Sequence, residues 1–407
     1  MTGCCVFRSR WILLAVVILA VAGAASLSIR RGLPQEFFAR RALERVRWGV
    51  CQFEGRPVTG IQFGENGVGD EVLEHLTSFP HLRRLSLMNM FGLTDRGMDH
   101  VAVLPQLTEL SVAYCSISSD GVARLRPLTR LRELHVGYTR IDDRALLHLA
   151  AFPDLEVLGL WGTSISDEGM TSLKAMKGIR KLFLHCTSVG DRGLVQLSGL
   201  TGLEELSLYE TRVTDDGLQH LRGLHQLRRL SLPEGISDAG LAHLAGLNRL
   251  KDLSLYQATG ITDVGLTHLA GLAELQVLSL SGTRVGGTGL EHLKACRGLR
   301  ELNLRSTPVN DAALRQLGAF ASLEVLDLYD TDVSDDGLAL LSGLTRLRKL
   351  HLTGARITDV GLGHLSGLPE MRELHIDGTS ATRRGLDKLR TALPQAKVSG
   401  YGRDELP

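Results

Sequence analysis

Leu203-Glu204-Glu205-Leu206-Ser207-Leu208-Tyr209-Glu210-Thr211-Arg212-Val213-Thr214-Asp215-Asp216-Gly217-Leu218 is one statement of a phrase that runs through most of this chain. Counted from its first leucine as zero, the phrase puts apolar residues at +3, +5, +10, +15, +18 and +21, Thr at +8, Ser or Thr at +11, Asp at +12 and Gly at +14. Copies begin at Leu82, Leu107, Leu131, Leu155, Ile179, Leu203, Leu227, Leu250, Leu275, Leu299, Leu323, Leu347 and Met371. A fainter copy starts at Val58 and continues through Ile61, Phe63, Asn66, Val68, Asp70 and Leu73, so about 14 repeats are expected. A fixed period of about 20–50 residues is the signature of stacked repeats rather than of one closed core. Each unit buries its apolar residues against its neighbours and leaves a long surface open.

Within a unit, +3 and +5 alternate with variable residues, the period of a strand. Positions +15, +18 and +21 are three apart, which suits a short helix or 3₁₀ turn. The Ser/Thr-Asp pair between them is expected to cap that helix. The Gly that follows is expected to serve a close backbone approach or a positive φ. The predicted fold is α/β: strands side by side in one parallel sheet on a concave face, short helices on a convex face.

The phrase closely resembles that of leucine-rich-repeat proteins. The asparagine usual at +8 is mostly Thr here, at Thr139, Thr163, Thr187, Thr211, Thr259, Thr283, Thr307, Thr331 and Thr379. That variant is similar to a group of bacterial leucine-rich-repeat proteins, within the ribonuclease-inhibitor and internalin-like superfamily, that often carry an N-terminal membrane segment. The resemblance covers about 58–394. It implies a binding fold, and it implies that the +8 hydroxyls bond backbone groups of neighbouring turns.

Ahead of the repeats, Trp11–Ile29 carries no charge. Nineteen helical residues reach ~28 Å, close to the ~30 Å of a bilayer core. A single-pass anchor is one reading. A cleaved signal peptide, with Ala22-Gly23-Ala24 at the cleavage site, is the other, and would leave a secreted protein. Arg8 and Arg10 precede the run, while Arg30, Arg31, Arg40, Arg41, Arg45 and Arg47 follow it, so the side of the membrane is left open. Residues 34–50 read as a basic amphipathic helix with Phe38, Ala42, Val46 and Val50 on one stripe, lying on anionic headgroups, capping the repeats, or both. The chain therefore divides into a flank at 1–10, an anchor or signal at 11–29, a basic helix and cap at 30–57, repeats at 58–394, and a closing strand and tail at 395–407.

The formal charge of +1 over 407 residues argues against a nucleic-acid binder. Cys115, Cys186 and Cys296 fall in different repeats, too far apart to bridge. The recurrent Asp and His columns read as helix-end residues rather than metal ladders. One tighter set, His351, His375 and Asp377, is a weak metal candidate because both histidines take +4 on adjacent strands, ~4.8 Å apart. Glycine-rich phosphate loops and nucleophile elbows do not occur, and no catalytic role or cofactor is expected.

Side chains at +2, +4 and +6 point away from the leucines. Tyr114, Tyr138, Trp161, Phe183, His185, Tyr209, Tyr256, Arg305 and Tyr329 fall in or beside those columns, and they are the expected partner-binding residues. Tyr, Trp and Arg are the usual anchors of protein interfaces. From Tyr114 to Tyr256 the expected band spans ~29 Å at ~4.8 Å per strand. Charge on these columns is acid-rich (Glu109, Glu133, Glu205, Glu210, Asp252, Glu301, Asp327, Asp330), and the Arg residues at +1 are expected to offset it. These features point to a monomeric, membrane-anchored scaffold that binds a protein partner. A structural, self-associating envelope protein is the alternative.

Overall fold

The computed structural model describes residues 35–44, 52–64 and 66–400. The expected span Trp11–Ile29 lies outside them, as do Val46 and Val50 of the expected stripe. Among the described residues no helix is long and apolar enough to cross a membrane. The chain forms two compact units, one running to Ile165 and the other starting at Ser166.

In the first unit, helix α1 (Gln35–Glu44) is followed by β1 (Gln52–Glu54), which pairs antiparallel with β2 (Gly60–Gln62). Strands β3 (Asn66–Gly69) and β5 (Met90–Gly92) make a small parallel pair of their own. The main sheet continues from β2 in parallel register through β4 (Arg84–Ser86), β6 (Glu109–Ser111), β7 (Glu133–His135) and β8 (Val157–Gly159). Helix α1 rests on the helix Asp70–Ser78 and buries Ala39 and Leu43. It is tied to the first repeat by Glu36 Oε1, which accepts the Val58 N–H at 2.9 Å, and by Arg40, whose guanidinium lies 4.6 Å above the Phe53 ring. The helix thus covers the open end of the first repeat, satisfying a backbone donor as it does so.

The second unit carries ten parallel strands in sequence order: β9 (Lys181–Phe183), β10 (Glu205–Ser207), β11 (Arg229–Ser231), β12 (Asp252–Ser254), β13 (Val277–Ser279), β14 (Glu301–Asn303), β15 (Val325–Asp327), β16 (Lys349–His351), β17 (Glu373–His375) and β18 (Lys397–Ser399). Leucine meets leucine at each step from β9 to β17, as at Leu206↔Leu230 and Leu350↔Leu374, and Leu374 meets Val398 at the last. From β9 to β17 these +3 residues and the +5 residues beyond them are buried, while on the other side +4 is half-exposed and +2 half-exposed or exposed. Helices of three to ten residues, α or 3₁₀, return the chain. The last, Arg383–Ala392, leads into β18.

The Asp column does something other than capping. Helix N-caps come from the residue before it: Ser118, Ser166, Ser237 and Thr358 each accept the N–H two residues on. The aspartate reaches forward into the next repeat. Asp191 accepts the Thr214 N–H at 2.8 Å and its hydroxyl at 2.7 Å, and Asp359 does the same for Thr382 at 2.7 and 2.6 Å. Asp95 holds Ser118 and Asp311 holds Ser334 in the same way. Each carboxylate therefore takes two donors from its neighbour, one of them a backbone donor at a helix start.

This clamp explains the recurrent glycine. Its φ is not positive; what it needs is space. A Cβ on Gly193 would lie 2.6 Å from Asp167 Oδ1, and one on Gly217 closer still to Asp191. Where a repeat lacks the Asp, the next repeat has Ala in place of Gly. Ser119 is followed by Ala145, and Gly287 by Ala313. At the first of these breaks the bond is rebuilt the other way round, Ser119 donating to Asp142 Oδ1 at 2.6 Å.

Two further expectations need correction. The +8 hydroxyls donate within their own repeat, to the +5 carbonyl: Thr187 to Leu184 at 2.6 Å, Thr283 to Leu280 at 2.7 Å, Thr379 to Ile376 at 2.9 Å. The inward turn brings +8 back over +5, so the nearest acceptor is its own repeat's carbonyl. Thr259 is outside this column; Ala258 is the buried residue there and Thr259 is exposed. The turn itself depends on +7, which is left-handed at Asn89, Tyr114, Tyr138, Cys186, Glu210, Gln257, Ser306 and Asp330, and at Gly162, Gly282, Gly354 and Gly378.

Candidate partner-binding face

On the first unit, +7 places Tyr114 and Tyr138 side by side at the ends of β6 and β7. Their rings stack, with centroids 4.8 Å apart and planes within 16°, yet the two residues stay 39% and 45% exposed. The left-handed backbone at both lifts the side chains out of the sheet. Trp161, at +6, is half-buried. Its indole lies over Gly137 and Gly159, where any Cβ would run into the ring, and its centroid is 5.2 Å from that of His135. Tyr138 covers Gly162 in the same way. Glycines at these places let large rings lie flat on the sheet.

Beside the rings is a groove of about 200 Å³ whose walls include Glu54, Arg84, Glu109, Ser111, Glu133 and His135. Arg84 is paired to Glu54, with Nε 3.0 Å from Oε2. His135 Nε2 lies 2.7 Å from Glu133 Oε1. Glu109 and Glu133 stand directly opposite each other across β6 and β7. Burial first, and then the Glu133 charge, push the Glu109 carboxyl above the usual range.

On the second unit the expected residues form separate contacts. Phe183, His185, Tyr209 and Tyr329 are half-buried, Tyr256 and Arg305 exposed. Tyr209 and Tyr256 meet edge to face at 5.8 Å, reaching past the repeat that begins at Leu227, where Pro233 takes +6. The Arg305 guanidinium sits 3.9 Å over the Tyr329 ring. His185 Nδ1 is 3.2 Å from Ser207 Oγ, and burial holds its pKa below that of a free histidine. Charges at +2 alternate here: Glu205 Oε2 lies 3.8 Å from Lys181 and Oε1 3.7 Å from Arg229, and Lys349 lies 3.1 Å from Glu373.

The metal candidate takes a different form from the expected one. His351 and His375 do meet, as tilted rings with centroids 3.9 Å apart, but the carboxylates beside them are Asp327, with Oδ2 4.0 Å from His351 Nδ1, and Glu373, with Oε2 4.0 Å from His375 Nε2, rather than Asp377. Asp377 lies at +6, one pleat further along, and its carbonyl accepts the Gly354 N–H. Ser399 Oγ, 2.7 Å away, meets His375 Nδ1. Among the described residues no three His, Cys, Asp or Glu side chains gather so as to hold a metal ion. Cys115 and Cys296 are buried free thiols, and burial pushes them up to about 12 and about 11.

Residues 344–366 match the family model described as Leucine Rich repeat. No curated protein sequence matches the chain. Solved structures do match. An internalin of Listeria monocytogenes aligns over 81% of this chain and 88% of its own, at 22% identity and TM-score 0.60. A leucine-rich-repeat protein of Leptospira interrogans aligns over 80% of this chain and 91% of its own, at 14% identity and TM-score 0.54. A TLR13–ssRNA13 complex aligns over 80% of this chain and 50% of its own, at 17% identity and TM-score 0.52. This chain folds as a leucine-rich-repeat solenoid. The solenoid offers a strand face on which no two repeats carry the same side chains, and that face is where its individuality lies.

Proposed function

We propose that this solenoid is a non-catalytic scaffold that binds a protein partner through its strand face and is held to a membrane by Trp11–Ile29. The observation that carries the reading is the Tyr114–Tyr138 stack: two large rings packed on each other and still open to solvent. Exposed aromatic groups held in one conformation are what interface hot spots are made of. Of the similar structures, one is a complex with ssRNA. The formal charge of +1 and the acidic groove of this chain favour a protein instead. The uncharged run of 19 residues supports the anchor.

Two experiments test this. Full-length protein, cross-linked in its native membrane and recovered, is expected to bring a protein partner with it, and Tyr138→Ala to reduce that recovery at least tenfold; undiminished recovery ends the strand-face reading. Separately, full-length protein is expected to stay with membranes through a carbonate wash. A mature N-terminus near Ala25 ends the anchor reading and leaves a secreted solenoid.

A further inference from the structure

The strand-face reading does not say what chemistry the partner brings; the +2 column does. In the second unit, charged neighbours on adjacent strands have opposite signs wherever they meet: Lys181, Glu205, Arg229 and Asp252 in one run, Lys349, Glu373 and Lys397 in the other. In the first unit the column reads Gly60, Arg84, Glu109, Glu133, Val157. Glu109 and Glu133 are in register, like-charged and half-buried, an arrangement that destabilises a sheet. Arg84, on the groove wall, relieves it only in part. Arg84 donates to Glu54 through both Nε and Nη2. Glu109 is left above the usual carboxylate range by burial and by Glu133, although Arg84 pulls the other way.

The groove is more than two acids. His135 Nε2 braces one Glu133 oxygen, which fixes that carboxylate's direction. Ser111, two residues beyond Glu109 on β6 and opposite His135, is on the groove wall, and its hydroxyl is closed to solvent and meets no hydrogen-bond partner. Next to His135 stands the Trp161 ring, whose face attracts cations. One oriented carboxylate with a second beside it, an unpartnered hydroxyl and a neighbouring π face match a planar group with several donors.

We propose that this groove receives a basic side chain, a guanidinium above all, from an extended segment of the protein partner. The proposal rests on the strand-face reading and sharpens it. The like-charge pair is then a cost carried by the free protein and removed on binding.

The test uses full-length protein and a short blocked peptide with a single Arg, its citrulline counterpart, and calcium chloride, compared by calorimetric titration. The Arg peptide is expected to bind at least tenfold more tightly than the citrulline peptide, and Glu109→Gln and Glu133→Gln each to remove about that factor. Glu205→Gln, whose carboxylate is already met by Lys181 and Arg229, is expected to leave binding unchanged. Melting separates recognition from damage. Glu109→Gln is expected to raise the midpoint, because it removes repulsion, and Glu205→Gln to lower it. Equal binding of the two peptides, unchanged binding by Glu133→Gln, or displacement of the peptide by calcium overturns the proposal. Partner recovery that depends on Tyr138 but not on Glu133 overturns it too, and leaves the strand-face reading standing.

Discussion

Along the helix starts of the second unit every repeat says nearly the same thing; along its strand face the +6 side chain changes from each repeat to the next. At the helix starts an Asp grips the Ser or Thr of the next repeat, and a Gly leaves it room. On the strand face, +6 holds His185, Tyr209, Pro233, Tyr256, Ser281, Arg305, Tyr329, Thr353 and Asp377 in turn. A position that contacts only its own copy in the next repeat is under the same constraint at every step, so it repeats. A position that contacts only solvent is free to vary, and a partner is what gives the variation a purpose.

The largest expected effect lies on the core side of a strand. Leu206 is 1% exposed and Leu206→Ala is expected to cost about 2–5 kcal/mol by chemical denaturation. Ser207, its neighbour on the open side, shares one hydrogen bond with His185, and Ser207→Ala is expected to cost under about 1 kcal/mol. Equal costs would put the strand phase off by one residue and turn every proposed contact inward.

Next comes the clamp. Gly217→Ala forces a methyl into Asp191 and toward Val213, and is expected to cost about 1–3 kcal/mol. The chain has already solved this problem twice, with Ser119 before Ala145 and Gly287 before Ala313. Adding Asp191→Ser to Gly217→Ala is therefore expected to recover part of the loss. If the double variant is as damaged as the sum of the two singles, the Asp–Gly pairing is coincidence.

Acidity sets two strand-face carboxyls apart from two at the helix starts by sign. On the strand face, burial raises Glu109 and Asp252 above the usual range. At the helix starts, the Ser119 hydroxyl lowers Asp142; burial works to raise Asp263, but the N–H groups of Gly286 and Thr288 and the Thr288 hydroxyl together outweigh it and leave it low. A raised carboxyl takes up its proton in the folded chain first, so its contribution to stability improves as pH falls through its folded value. A lowered one stabilises above its unfolded value, and that contribution is lost as pH falls through the folded one. Carboxyl NMR shifts are expected to show Glu109 and Asp252 titrating before Asp142 and Asp263 as acid is added. The reverse order would break the contrast.

Much of this was legible before any coordinates. The leucine spacing fixes strand phase, and phase fixes which columns face out, because side chains alternate along a strand. The Asp–Gly clamp was equally present, since Ala145 and Ala313 mark the places where the Asp is missing. It was missed because it links residues one repeat apart, while capping is judged within one helix. Thr259 was misplaced because its repeat is 25 residues long, from Leu250 to Leu275, so a column counted by motif slips by one. The acidic groove was hidden by summing charge over the face. The Arg residues at +1 do offset acids, as Arg180 does Glu204 at 2.9 Å, but those pairs sit elsewhere and leave Glu109 and Glu133 facing each other. Ring stacking was beyond reach, because Tyr114 and Tyr138 meet only through a left-handed turn that tyrosine rarely adopts.

That turn yields the smallest expected effect on stability and the most informative one. Tyr138 is exposed, covers Gly162 and stacks on Tyr114, so Tyr138→Ala gives up one ring contact, worth about 0.5–1.5 kcal/mol. It also removes a side chain from a left-handed position, which gives nothing back, because Ala tolerates that backbone no better. Tyr138→Gly loses the same ring and relieves the strain, so it is expected to be the more stable of the two variants in thermal melts. Both lack the ring and are expected to lose partner recovery alike. If recovery instead follows stability, with Gly better than Ala, the tyrosine serves the turn and not the partner, and the varied face would be as structural as the repeated edge behind it.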